Sequence, residues 1–329
     1  MRAYKIAIVG ATGMVGQTFI KVLEERKIPI SKIEFFASSK SVNKVISFLG
    51  QDYLVKELNE NSFDSGFDFA LFSAGSKISE QYAPIAKSKG VVVIDNSSKW
   101  RMDLNTLLVV PEVNQNLITK NDLIIANPNC STIQAVVPLK IISDLFGINK
   151  VIYSTYQAVS GSGYKGLKDL ENGKNGLKNE FYQKPIYENC FPHIDDFLID
   201  GYTKEEQKMI DETKKILGLN ELLVTATCVR IPVLVGHSVS INVECKNEVD
   251  LAKLKRVFIS DPSIVYYDYD QYPTPKEVEG SDLVHVSRLR KDKVFQNGIS
   301  LFVVADNVRK GAATNAIQIL EYMIKENLV

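Results

Sequence analysis

Histidine is scarce in this chain, with 3 in 329 residues, alongside 4 cysteines and 1 tryptophan. Cys130, Cys190, Cys228 and Cys245 lie far apart and form no C-x-x-C pair. Ligating side chains this few and scattered argue against a zinc site or a disulfide framework and point to a reducing compartment. No apolar run approaches the roughly 20 residues of a membrane-spanning helix. Residues 1–5 lead straight into a strand-like run, not into the apolar core and small-residue cleavage site of a signal peptide. The expectation is a cytoplasmic protein with no bound metal and no membrane contact. Charge of one sign is also missing. Lys plus Arg and Asp plus Glu number 39 each, so no overall field draws in nucleic acid, and an anionic ligand must be held by a few placed groups. A hydrophobic content of 45% with 24% charged residues is ordinary for a globular protein. The length suits two domains.

The first third alternates short apolar runs with helical spacing. Residues 6–9, 33–37, 67–72, 91–94, 107–110 and 123–126 read as strands, and 14–25 and 79–88 as helices. Short buried strands joined by crossovers predict a doubly wound, Rossmann-like parallel sheet. Beyond residue 130 the pattern changes. Residues 131–146 read as a helix that Pro138 should bend or weaken. The runs 151–159, 222–230, 237–245, 284–289 and 298–305 are longer and alternate, which predicts a mixed or antiparallel sheet with one covered face. The stretch 161–183, rich in Gly, Asn and Lys, reads as a helix plus a mobile loop. Residues 203–217 read as a helix with Thr203 as N-cap, Glu206 completing a capping box and Gly218 as the stop. A last helix, 308–325, is expected to pack back on the first domain. The fold class is therefore α/β: a dinucleotide-binding domain of residues 1–129 plus 308–329, and an α+β catalytic and dimerisation domain of residues 130–307.

Gly10, Gly13 and Gly16, with Thr12, Met14 and Val15 between them, sit between the first strand and the first helix. Glycines there let the backbone turn tightly and approach a pyrophosphate at the helix N-terminus. The G-x-x-G-x-x-G spacing is a variant of the dinucleotide fingerprint, weak alone and stronger at this junction. Where the second strand ends, an NAD enzyme usually places Asp or Glu; here stand Ser38, Ser39, Lys40 and Ser41. Hydroxyls and an ammonium suit a 2′-phosphate and no carboxylate opposes it, so NADP is expected over NAD.

Cys130 follows Asn129 where an apolar strand hands over to a helix. A thiol in the first helical turn feels the positive end of the dipole, which favours thiolate. Nearby N–H groups, with the Asn129 amide, are placed to hold an oxyanion. The other three cysteines read as small buried hydrophobes. Of the histidines, His193 lies in a turn-like stretch and His285 alternates with valines. His237 begins a strand after Gly236 and is the best acid/base candidate.

Taken in order, the residues resemble the aspartate-β-semialdehyde dehydrogenase family. The resemblance spans nearly the whole chain: 10–16, DNSSKWR at 95–101, VVPEVN at 109–114, NPNCST at 127–132 and TYQAVSG at 155–161. It continues with PHID at 192–195, GYTKEEQK at 201–208, CVRIPVLVGHS at 228–238 and ADNVRKGAATN at 305–315. It implies Cys130 as nucleophile, His237 as acid/base and Gln157 as the group orienting the carbonyl. It further implies that Arg230 grips the substrate α-carboxylate and Glu205 meets the α-ammonium. Arg101 and Lys208 would hold phosphate, Asn129 would border the substrate, and Ser160, Gly161 and Asn307 would join the cofactor contacts.

The implied reaction is NADPH-dependent reductive dephosphorylation of L-aspartyl-4-phosphate to the semialdehyde through a cysteine thioester. It serves lysine and diaminopimelate, threonine, methionine and isoleucine synthesis, in a homodimer whose partners are small-molecule substrates. Two alternatives stay open. Other thiol-dependent acyl-phosphate reductases surround their cysteine differently, and an acylated amine would not call for Glu205. A catalytically inactive nucleotide-binding paralogue is opposed by the intact set Cys130, Gln157, Arg230 and His237.

Overall fold

The apolar run that opens the chain is strand β1 (Tyr4–Val9) in the computed structural model, which describes residues 2–329. The chain divides into two compact units, residues 1–128 with 312–329, and residues 129–311.

In the first unit, β1 leads through the glycine turn into α1 (Met14–Arg26) and then β2 (Ile30–Ala37). A hairpin follows, β3 (Val45–Phe48) and β4 (Gln51–Leu54), and then the two-residue β5 (Lys56–Glu57). The remaining elements are β6 (Phe69–Phe72), α2 (Ser76–Ser88), β7 (Val92–Asp95), β8 (Leu107–Leu108), α3 (Pro111–Asn114) and β9 (Ile124–Ala126). Seven strands form one parallel sheet in the order β5-β2-β1-β6-β7-β9-β8. Both faces are covered. One carries Phe19, Leu23 and, from the C-terminal helix (Thr314–Lys325), Ile317 and Leu320; the other carries Phe63, Phe72 and Ala83. Burial on both faces explains the uninterrupted apolar strands, and each fully buried Phe or Leu contributes about 1.5–3 kcal/mol.

The hairpin carries a single sequence signal for its turn, Gly50. Leu49 and Gly50 both have positive φ, 49° and 74°, and leucine is a poor residue for that region. Its N–H is held by the Glu24 carboxylate at 2.6 Å.

The second unit begins with α4 (Cys130–Phe146), followed by β10 (Ile148–Gln157), α5 (Tyr164–Lys174) and α6 (Lys204–Leu217). Then come β11 (Leu223–Arg230), β12 (His237–Cys245), α7 (Leu251–Ser260), β13 (Ile264–Tyr266), β14 (Val284–Lys291) and β15 (Gly298–Ala305). The six strands order as β11-β10-β12-β15-β14-β13. β10 pairs parallel with β11 and β13 with β14; the other pairs are antiparallel. The expected mixed sheet is present. Helix α4 packs on β10, β12 and β15 and runs unbroken through the buried Pro138, where an interior proline costs about 3 kcal/mol. Ten of its other residues are buried with Pro138, so packing outweighs that local cost.

Helix α6 has the full capping box of Thr203 and Glu206 and ends on Gly218 at φ 67°. After α5, the N–H groups of Glu180, Phe181 and Tyr182 all donate to the buried Asp169 carboxylate at 2.7–2.9 Å. The stretch read as a mobile loop is thus tied down by one anion in a backbone nest. The expected final helix from 308 differs too: residues Arg309–Ala313 form a π turn before the α-helix starts at Thr314. No side chain separates the turn from α4 at Gly311, where a Cβ would stand 3.0 Å from the Cys130 Cβ.

Candidate functional site

In the first unit the parallel order reverses direction at β1, between β2 and β6, and ligands of open α/β sheets bind outside the strand ends at such a switch. Gly10 leaves β1 at φ 85°, and a Cβ there would lie 2.3 Å from the Ser73 carbonyl oxygen. At Gly16 a Cβ would meet the Gly10 carbonyl oxygen at 2.2 Å. Both glycines are therefore required by close backbone approach. Gly13 is the N-cap of α1 and leaves open the space a side chain would fill against the turn. Met14 and Val15 form the first turn, whose N–H groups point toward the cap. A cavity of about 400 Å³ opens here, lined by Gly10, Thr12, Gly13, Ser38 and Ser39. This cradle fits a dinucleotide pyrophosphate, with room beyond it for the adenosine.

Ser41 is tied to Thr12 by a 3.3 Å hydroxyl contact. Lys40 is exposed in a short 3-10 turn and does not line the cavity. The Ser38–Ser41 turn itself carries no carboxylate, but Glu57, outside that stretch, lines the same cavity. It arrives on β5, which is only two residues long. Arg101, also in this unit, is buried and donates through Nη2 to the Asn96 carbonyl at 2.9 Å.

In the second unit Cys130 is the first residue of α4, with Asn129 as N-cap. The Asn129 side-chain oxygen accepts from the N–H groups of Ser131 and Thr132 at 3.0 and 3.3 Å. Its Nδ2 donates to Glu205 at 2.8 Å, and its own N–H donates to Glu212 at 2.6 Å. The amide expected to help hold an oxyanion is instead the helix cap, and its Nδ2 already donates to Glu205.

Glu205 and Glu212 lie seven residues apart on one face of α6 with Met209 between them, and all three are buried. Glu205 also accepts from Gln157 Nε2 at 3.2 Å and pairs with Lys208 at 3.3 Å. Burial by itself would raise its pKa. The Lys208 ammonium, the Asn129 amide, the Arg230 charge and the Gln157 amide outweigh that and hold it below the usual value. Lys208 is shared with Asp195 at 2.7 Å. One carboxylate therefore gathers Asn129, Gln157 and Lys208.

His237 is fully buried, and its Nδ1 accepts the Ala158 N–H at 3.0 Å. An accepting Nδ1 leaves the proton of the neutral ring on Nε2. Burial, then the Arg230 charge, push its pKa well below 6.5, so the ring is neutral. Arg230 is buried and donates through Nη1 to the Ala158 carbonyl at 2.6 Å. His237 Nε2 and Arg230 Nε are both buried without a hydrogen-bond partner. A Cβ on Gly161 would lie 2.9 Å from Arg230 Nη1 and 3.2 Å from His237 Nε2. Two donor groups thus converge beside a glycine that leaves their space open. Ser160 and Asn307 bond to each other at 2.9 Å, and Asn307 accepts the Gly236 N–H at 2.8 Å, beside His237.

The other two histidines stay apart from this group. His193 stacks on Phe197, and His285 bonds Tyr267 and Ser281. Burial raises the thiol pKa of Cys228 and lifts that of Cys245 to about 11. None of the four cysteines forms a disulfide, and among the described residues no group of three His, Cys, Asp or Glu could hold a metal ion. Sequence reasoning missed Glu212, Glu57 and Gly311. For Glu212 a signal was present: a carboxylate seven residues from Glu205 on an otherwise apolar helix stripe.

Comparison with known proteins places the chain in a family. The family described as semialdehyde dehydrogenase, NAD binding domain, matches residues 5–121, and its dimerisation domain matches residues 139–310. An aspartate-semialdehyde dehydrogenase of Aquifex aeolicus is 52% identical with 99% of each chain covered. One from Bacillus subtilis is 43% identical over 100% of this chain and 99% of the relative. The solved structure of aspartate semialdehyde dehydrogenase II from Vibrio cholerae, complexed with ASA, superposes with a TM-score of 0.95 at 43% identity, covering 99% of each chain. This chain belongs to the aspartate-semialdehyde dehydrogenase family.

Proposed function

We propose that this enzyme carries out the NADPH-dependent reductive dephosphorylation of L-aspartyl-4-phosphate to L-aspartate 4-semialdehyde through a thioester on Cys130. The observation that carries the reading is a pair of buried donors without acceptors among the described residues, Arg230 Nε and His237 Nε2, on two side chains that both come close to Gly161. Buried donors at this cost are kept for a ligand that completes them. Arg230 suits the α-carboxylate, which a guanidinium meets with two hydrogen bonds. Glu205, buried and ionised, suits the α-ammonium, which an acylated amine could not replace.

The Cys130 thiolate attacks the acyl carbon; the carbon–sulfur bond forms as the carbon–oxygen bond to phosphate breaks. The phosphate leaves with the electron pair, toward cations of the kind Lys208 and Arg101 supply. Gly10–Gly16 and the Ser38–Ser41 turn, with Ser160, Gly161 and Asn307 as the resemblance implies, would hold NADPH, whose chemistry when bound would be the supply of a hydride. Gln157 orients the carbonyl. His237 Nε2–H hydrogen-bonds its oxygen and moves the proton as aldehyde leaves the sulfur.

The dimerisation-domain match supports a homodimer. The open face of the β10–β12 sheet, with exposed Ile152 and Tyr156 beside Phe302, offers an apolar surface for it. Four unbridged thiols support a cytoplasmic setting. Family membership supports a place in the synthesis of lysine with diaminopimelate, threonine, methionine and isoleucine. The test is the reverse reaction, phosphate-dependent reduction of NADP with L-aspartate semialdehyde. A rate that requires phosphate is expected; no rate with this aldehyde overturns the substrate.

A further inference from the structure

In a doubly wound nucleotide site, a carboxylate at the end of the second strand holds the adenosine ribose hydroxyls of NAD. Here β2 ends at Ala37, and the turn beyond it supplies hydroxyls and one lysine. The carboxylate arrives by another route. Strand β5 lies beside β2 in parallel register, with Glu57 opposite Ala37, and the Leu58 N–H donates to the Ala37 carbonyl at 3.0 Å to close the pairing. Paired residues of neighbouring strands stand about 5 Å apart with side chains on the same face. The short Ala37 side chain leaves that ground to the carboxylate.

Three further facts set Glu57 apart. It is exposed and lines the cavity with Ser38 and Ser39, the only charged side chain among the lining residues. Its carboxylate makes no hydrogen bond or ion pair among the described residues, whereas its neighbour Lys56 is engaged by Glu34 at 2.9 Å. Of the groups that face it in the cavity, only Tyr82 on α2 is titratable. The lysine on which the sequence-based expectation of NADP leaned, Lys40, lies outside the lining.

We propose that Glu57 sets the discrimination between dinucleotides with and without a 2′-phosphate, supplying from β5 the ribose-holding carboxylate that β2 lacks. This rests on the reading that the cavity binds a dinucleotide. Glu57 accepts hydrogen bonds from the two hydroxyls of an unphosphorylated ribose and repels a 2′-phosphate, while Ser38, Ser39 and Lys40 attract it. The opposed effects leave NADP favoured over NAD by a narrower margin than the Ser38–Ser41 turn alone would give.

Calorimetry on the full-length enzyme, with adenosine 5′-diphosphate and adenosine 2′,5′-bisphosphate as probes, reads this without turnover. In Glu57→Gln the first should bind more weakly and the second more tightly, moving the ratio of the two Kd values by about tenfold. Lys40→Ala should move it the other way. Glu57 is exposed on an edge strand, so an unchanged melting temperature is expected for the variant. A ratio that moves by less than about twofold while both probes still bind overturns the proposal. Binding of neither probe to the wild type also overturns it, together with the dinucleotide reading of the cavity. A clear ratio shift in an enzyme unable to reduce dinucleotide with aspartate semialdehyde would uphold Glu57 and remove only the substrate assignment.

Discussion

The glycine turn after β1 presents mostly backbone, whereas the site around α4 is made of polar and charged side chains, most of them buried, drawn from five elements. At the turn, Gly10 and Gly16 are needed because a carbonyl oxygen stands within 2.3 Å of where each Cβ would be. Around α4, Asn129, Gln157, Glu205, Lys208, Arg230 and His237 bond to one another's side chains or to nearby carbonyls and N–H groups. A backbone site depends on conformation and is compact in sequence. A side-chain site depends on mutual neutralisation, because each buried charge needs its partners. The difference teaches where each is vulnerable: the turn to any added atom, the charged network to the loss of a single member.

The sharpest break in that comparison is Cys130→Ala. Turnover should fall by a factor on the order of 10⁴ or more, while dinucleotide binding, read by calorimetry, stays within about twofold. Substantial residual turnover would remove the covalent route. Gly16→Ala attacks the other side. An added methyl facing backbone at 2.2 Å should cost about 3 kcal/mol, on the order of 100-fold in dinucleotide affinity, with the rate of Cys130 alkylation unchanged. Equal loss of both readouts would mean that the two sites are not separable.

Arg230→Lys keeps the charge but removes the planar fork. The KM for the semialdehyde should rise about 10–100-fold, with a smaller change in kcat. An unchanged KM would take the α-carboxylate away from Arg230.

The smallest effect concerns pH. His237 is held neutral when folded, with its pKa well below 6.5, while in the unfolded chain it protonates as pH falls through about 6.5. Between the two values the unfolded state binds more protons, so this group's contribution to stability is present above about pH 6.5. It is lost on acidification toward the folded pKa, by at most about 1.4 kcal/mol per pH unit. The stability of wild type minus His237→Gln, from denaturant melts, should therefore shrink as pH falls from about 7 to 5. A constant difference would show that the ring protonates alike in both states.

Much of the first unit was legible because parallel strands and their crossovers write their period into contiguous residues. The glycine turn was legible for the same reason, since its strand, turn and helix are adjacent in the chain. The β3–β4 hairpin was not, because its turn uses Leu49 in a conformation leucine rarely adopts. The π turn at Arg309–Ala313 was hidden as well: its backbone is placed by contact with a helix about 180 residues earlier. In the charged network, the order of motifs named Gln157, Glu205, Arg230 and His237. What bonds to what was invisible, and so was Glu212.

The sequence by itself determined the α/β fold class, the nucleotide turn and, through the ordered motifs, the family. Each of these rests on residues close together in the chain or on their order along it. Only the tertiary structure decided that Asn129 caps α4 instead of facing an oxyanion. It also decided that the His237 ring carries its proton on Nε2 and that a carboxylate lines the nucleotide cavity. The physical reason is the same in each case. Hydrogen-bond partners and burial are set by neighbours such as Glu205, Ala158 and Ala37, which are distant in sequence and become adjacent only when strands pair and helices dock.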